Sequence, residues 1–99
     1  MTSKDPRLFD SQKYYLKHIV HGKILVPPYQ ENEYSNACEY KINSNGRVID
    51  VIAFDNQCTQ VMARRKEMKM DVSVAVKGLM GIDKGNDNLI VQSGVSIIK

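Results

Sequence analysis

Catalysis, metal binding and membrane insertion each leave patterns in a sequence, and this one has few of them. Its 99 residues hold two cysteines, Cys38 and Cys58, far from any Cys-x-x-Cys or zinc-knuckle spacing, so both are read as reduced thiols of a cytoplasmic protein. No apolar run approaches the ~20 residues of a membrane span, and the polar N-terminus does not resemble a secretory leader. There is no usable Ser/His/Asp or Cys/His spacing and no glycine-rich phosphate loop. The carboxylates Asp50, Asp55, Asp83 and Asp87 fall in turns or on one strand face, which is no arrangement for acid/base work. His18 and His21 stand three apart on a predicted helix, but two histidines without further ligands make a surface pair rather than a metal site. The expectation is a non-enzyme with no cofactor, no metal and no membrane partner.

What remains is an ordinary globular composition. Hydrophobic residues make up 42% and charged residues 25%, which argues against disorder. The length suits one small domain with a single core. A net charge of +3 permits an anionic partner without requiring one.

Periodicity divides the chain. Residues 1–9 are polar. From Asp10, a capping residue, the i,i+4 apolar pairs Tyr15/Ile19 and Leu16/Val20 predict an amphipathic helix ending at Gly22. "KILVPPY" then suits a first strand that leaves its sheet at Pro27 and Pro28, and "QENEYSN" an exposed connection. "ACEYKIN" alternates as a half-buried strand with Cys38, Tyr40 and Ile42 inward, "SNG" at 44–46 is a tight hairpin turn, and "GRVIDVIAF" is its antiparallel partner. Residues 56–68 lose the period of two and fit a short helix. "KMDVSVAVKGLMGI" is the clearest strand in the chain, "DKGNDN" a hairpin loop, and "LIVQSGVSIIK" the last strand, with Gly94 suited to a bulge. The expected fold is mainly β, a tail and helix over 1–21 followed by a β-β-β-α-β-β domain over 22–99.

That strand order is the order of a five-stranded OB barrel. The blocks "KILVPPY", "ACEYKIN", "GRVIDVIAF" and "MDVSVAVKGLMGIDKGNDNLIVQSGVSII" resemble the strand blocks of bacterial single-stranded DNA-binding proteins and of the OB domain of DHH-type single-strand exonucleases, over about three quarters of the chain. The resemblance implies non-sequence-specific binding of single-stranded DNA or RNA in replication or repair. It also bears on an oddity of "GRVIDVIAF". Ile49, Val51 and Ala53 make one apolar row, but Phe54 shares the other row with Asp50. In the family the third strand ends in an aromatic that stacks on a base, and Phe54 stands at that position. The alternative is that Phe54 packs under the 56–68 helix.

Two features depart from the family. Its aromatic at the start of the third strand is replaced by Val48, with Tyr29 and Tyr34 as candidate substitutes in the first connection. Its acidic-tipped tail has no counterpart here, since the chain ends at Lys99, so recruitment through such a tail is not expected. For phosphate contacts the candidates are Lys41 on the second strand, Arg47 by the turn and Lys84 in the last hairpin. Arg64, Arg65 and Lys77 belong to a stretch, 61–77, with a local charge of +3. The stripe of Tyr15, Leu16 and Ile19 needs a cover, either the chain's own barrel or another protein. The second functional reading is therefore an accessory subunit of a replication enzyme, with a primase, polymerase or helicase as partner. A homo-oligomer is compatible with both.

Overall fold

The computed structural model describes residues 15–30, 36–81 and 88–98. Its elements run β1 Tyr15–Gln30, β2 Ala37–Ser44, β3 Arg47–Phe54, α1 Asn56–Ala63, β4 Ser73–Gly81 and β5 Leu89–Ile97. The strands close into a barrel in the order β1-β2-β3-β5-β4. All pairings are antiparallel except β3 with β5. This is the expected five-stranded OB-type barrel.

The hairpin turn forms as its sequence dictates. Asn45 (φ 56°) and Gly46 (φ 86°) are both left-handed, the geometry of a two-residue turn whose twist matches the flanking strands. The Asn43 side chain accepts the Gly46 N–H at 2.8 Å. Buried and half-exposed residues then alternate along β2 and β3, placing Tyr40, Ile42, Ile49, Val51 and Ala53 in the core with Ile24, Val61, Met68, Val74, Val76 and Ile90. Each large apolar side chain buried there contributes roughly 1.5–3 kcal/mol relative to exposure. A polar chain crosses this core. The Tyr40 hydroxyl donates to Gln92 Oε1 at 2.5 Å, and Gln92 Nε2 donates to Gln57 Oε1 at 2.8 Å, so β2, β5 and α1 are tied together with no buried side-chain polar atom unsatisfied among the described residues. Burial holds the Tyr40 phenol well above its usual value.

Three expectations need correction. Residues 15–21 of the anticipated N-terminal helix are strand. They pair with β4 from Tyr15 opposite Gly81 to Lys23 opposite Ser73, so the division placed before residue 22 falls inside β1, and residues 10–14 lie outside the described residues. Pairing with a neighbouring strand satisfies every second backbone group of the segment, a tertiary gain that outweighs a few i,i+4 contacts. The first strand also does not leave its sheet at the prolines. Its register against β2 slips between Ile24 and Val26 and again between Val26 and Tyr29, so bulges accommodate Pro27 and Pro28 and pairing resumes at Tyr29. The second helix, finally, ends at Ala63, and Arg64 to Glu67 form turns. On β5 the register shifts by one residue opposite Lys77 and Gly78, a bulge at Ser93–Gly94 where Gly94 suggested one. The "DKGNDN" loop up to Asp87 lies outside the described residues.

Both cysteines are free and buried. The Cys38 thiol points at the Cys58 carbonyl, 3.8 Å away, and burial pushes it up to about 12. Since the thiolate is the reactive form, the folded protein at a pH of about 8 is expected to resist iodoacetamide, with both thiols alkylated once it is denatured. Rapid labelling of the native protein, read by intact mass, would show that the end of the barrel beneath α1 opens.

Candidate nucleic-acid interface

Residues directly opposite one another on paired strands share a face, so register alone assembles the outer surface. Across β1, β2 and β3 one outward row contains Tyr29, Glu39 and Ile52, with Phe54 opposite Ala37 on its α1 side. The next row contains Lys41 and Asp50. Parallel pairing of β3 with β5 continues these rows into Leu89 and Val91. Ile52, Phe54, Leu89 and Val91 are half-buried and Tyr29 is 40% exposed. The result is a shallow surface on which Ile52, Val91 and Leu89 form an apolar strip, with Phe54 and Tyr29 as its aromatics, the Glu39 carboxylate between Tyr29 and Ile52 and the Lys41–Asp50 pair in the next row, a shape suited to flat rings rather than to an enclosed small molecule.

Lys41 donates to Asp50 at 2.5 Å, and this bond holds its ammonium above the usual lysine value. Arg47 lies at the turn end of β3, exposed, with Nε donating to Asn88 Oδ1 at 2.7 Å. Phe54, Tyr29 and Lys41 thus share the outward face of β1-β2-β3, whereas Arg47 stands at the turn end of β3, seven residues from Phe54 and in the same alternation as the inward Ile49, Val51 and Ala53. Other candidates lie elsewhere. Lys77 lies on β4 opposite Ile19, and Arg64 Nη1 donates to the Val95 carbonyl where β5 pairs with β4; Arg65 follows it in the exposed turn. Tyr34 and Lys84 lie outside the described residues. Ile19 is 63% exposed, while the side chains of Tyr15 and Leu16 also lie outside the description.

Strand geometry revises the histidines too, since His18 and His21, three apart on β1, point to opposite faces. Among the described residues no group of three His, Cys, Asp or Glu is placed to hold a metal, and no helix is long and apolar enough to cross a membrane. A separate cleft of about 510 Å3 opens at the far end of the barrel, between the β2-β3 turn and Lys23, Asp71 and Ser73. None of the gathered aromatics lines it.

The alternation of "GRVIDVIAF" singles out Asp50 but not its partner, although the signal is present in the sequence. A two-residue turn at Asn45–Gly46 sets Ser44 opposite Arg47, and counting outward sets Lys41 opposite Asp50.

No protein-family model matches the sequence, and no curated protein matches it. Solved structures do resemble it. The second single-stranded DNA-binding protein of Mycobacterium smegmatis superposes with a TM-score of 0.65 at 18% identity, covering 85% of this chain and 89% of that one. The small single-stranded DNA-binding protein of Streptomyces coelicolor gives 0.67 at 10% identity, over 85% and 93%. TiaS in complex with a tRNA, AMPCPP and agmatine gives 0.67 at 17% identity and covers 88% of this chain. This chain matches one module of TiaS, 20% of its length. At these identities the likeness establishes the fold: the chain is an OB barrel of the shape found in single-stranded DNA-binding proteins.

Proposed function

We propose that this OB barrel binds single-stranded DNA or RNA without sequence preference, in replication or repair in the cytoplasm. The observation that carries the reading is the placement of Phe54 and Tyr29 beside Lys41 on one open face. Bases stack on such rings for ~1–3 kcal/mol each, while Lys41 and Arg47 supply phosphate contacts. The free-standing neighbours of similar length are described as single-stranded DNA-binding proteins, and TiaS, which shares the module, is seen with a tRNA. Both support an OB face used on nucleic acid.

The test is a titration of a labelled oligo-dT at two salt concentrations, with a duplex of the same length as control. Binding to the single strand is expected to weaken with salt by a slope of about −0.7 per phosphate contact, and Arg47→Ala to flatten the slope by about that amount. Absence of binding at low salt would end this reading. The second reading is an accessory subunit of a primase, polymerase or helicase. It draws support from the exposed Ile19 on the β1-β4 face, and co-purification with such an enzyme, lost on Ile19→Asp, would favour it.

A further inference from the structure

Two carboxylates, Glu39 and Asp50, lie on the binding face, and the one that nucleic-acid binding does not explain is Asp50, because it holds the lysine proposed to contact phosphate. Asp50 belongs to the same outward row as Ile52 and Phe54, where a phosphate following a stacked base would meet a negative charge. Its position is fixed by the backbone. The two-residue turn sets the register that puts Lys41 opposite Asp50, and the Asp50 N–H is directed away from β2, donating to the Asn88 carbonyl at 2.7 Å. The two residues therefore form a pair of the kind that exchanges no backbone bonds with its opposite number, in which side chains lie closest together. The ion pair follows, with the ammonium and the carboxylate 2.5 Å apart. It is accessible: the Lys41 side chain is 39% exposed and that of Asp50 47%, so an incoming anion reaches both groups without unfolding the strands.

We propose that Asp50 is a built-in competitor of the nucleic-acid phosphate for Lys41, setting the affinity of the face; the inference rests on the binding function proposed above. A phosphate oxygen and a carboxylate oxygen present the same acceptor to an ammonium. Binding of a strand then exchanges one anion for another at Lys41 instead of adding a contact to a bare cation. The lysine releases fewer counterions than its charge alone would allow, because Asp50 already neutralises it in the free protein. The displaced carboxylate also stays on the face, where it opposes a second phosphate close by. Such a site binds more weakly and lets go more readily than its composition suggests. It also selects for ligands able to bring a phosphate to Lys41, which a neutral base stack alone does not do.

Asp50→Asn tests this, since the amide keeps the shape and removes the charge, and an exposed pair contributes little to folding. Fold is checked by circular dichroism. With oligo-dT as probe, the variant is expected to bind roughly eightfold more tightly at about 50 mM salt and to steepen the salt slope by about 0.7, the contribution of one added phosphate contact on a single strand. In a Lys41→Ala background the same substitution should give much less gain, because the group competed for is gone. Unchanged affinity and slope in Asp50→Asn would overturn the proposal, as would an equal gain with and without Lys41, which would make Asp50 a general repulsive charge. Should the parent bind oligo-dT while Asp50→Asn behaves identically, only this inference falls; should the parent not bind at all, the proposed function falls and takes this one with it.

Discussion

Gly78→Ala is expected to leave the chain without a stable barrel. A Cβ at this position would stand 2.0 Å from the carbonyl oxygen of Val91 and 2.8 Å from its carbon, and both are backbone atoms of the paired strand β5, so no rotamer change relieves the clash. Gly78 sits where the register between β4 and β5 shifts. Relief therefore means separating these strands, to which the polar chain through Gln92 is also anchored. Overpacking a core costs about 1–3 kcal/mol when side chains can adjust. Here the loss should exceed about 3 kcal/mol, a large part of the ~5–15 kcal/mol by which small domains are stable. Gly94 provides the contrast, since a Cβ there would meet only the flexible end of Lys77, at 3.9 Å. Gly94→Ala should match the parent in urea or gain up to ~1 kcal/mol from a less flexible unfolded chain. A Gly78→Ala protein that unfolds at the parental urea concentration would show that β4 and β5 do not approach this closely.

The second large effect concerns binding rather than folding. Phe54→Ala should weaken oligo-dT binding by about 1–3 kcal/mol, roughly five- to 150-fold, with a melting point within a few degrees of the parent. A fully buried phenylalanine would cost ~3–5 kcal/mol of stability on the same substitution, but Phe54 is half-buried on the outward row of β3, opposite the small Ala37. Val51→Ala, on the same strand but in the core, should behave the other way: a loss of roughly 1–3 kcal/mol in stability and little change in binding by the folded fraction. If Phe54→Ala unfolds the protein, or leaves binding intact, the ring is a packing residue and stacking must fall to Tyr29 alone.

Much of this architecture is legible in the sequence because most strands have one dry face and one wet face. Alternation along "ACEYKIN" and "GRVIDVIAF" yields the inward residues Tyr40, Ile42, Ile49, Val51 and Ala53, and the left-handed pair Asn45–Gly46 yields the turn. The start of β1 is where this logic misleads. Tyr15, Leu16, Ile19 and Val20 fit a helical stripe as well as a strand, and only the partner strand β4, distant in sequence, decides between them. The β-branched residues Ile19, Val20, Ile24 and Val26 are the local hint. The phosphate candidates are harder to read, since a run such as Arg64–Lys66 announces its charge but not its direction. Fold places it beyond α1, whereas Lys41 lies on the aromatic face and Arg47 at the turn end of β3. The state of Lys41, already paired, depends on a register that the turn encodes and that charge counting ignores.

The two joints that close the barrel differ greatly in length. Among the described residues β1 and β4 are zipped together from Tyr15 to Lys23, while β3 and β5 pair over Asp50–Ile52 and Leu89–Val91 alone. Mechanically the molecule is a rolled ribbon with a long hinge on one side and a short clasp on the other, and the clasp lies directly beneath the Lys41–Asp50 pair and the apolar strip. Whatever settles on that strip rests across the clasp, so a ligand there would fasten the cylinder at its weakest joint.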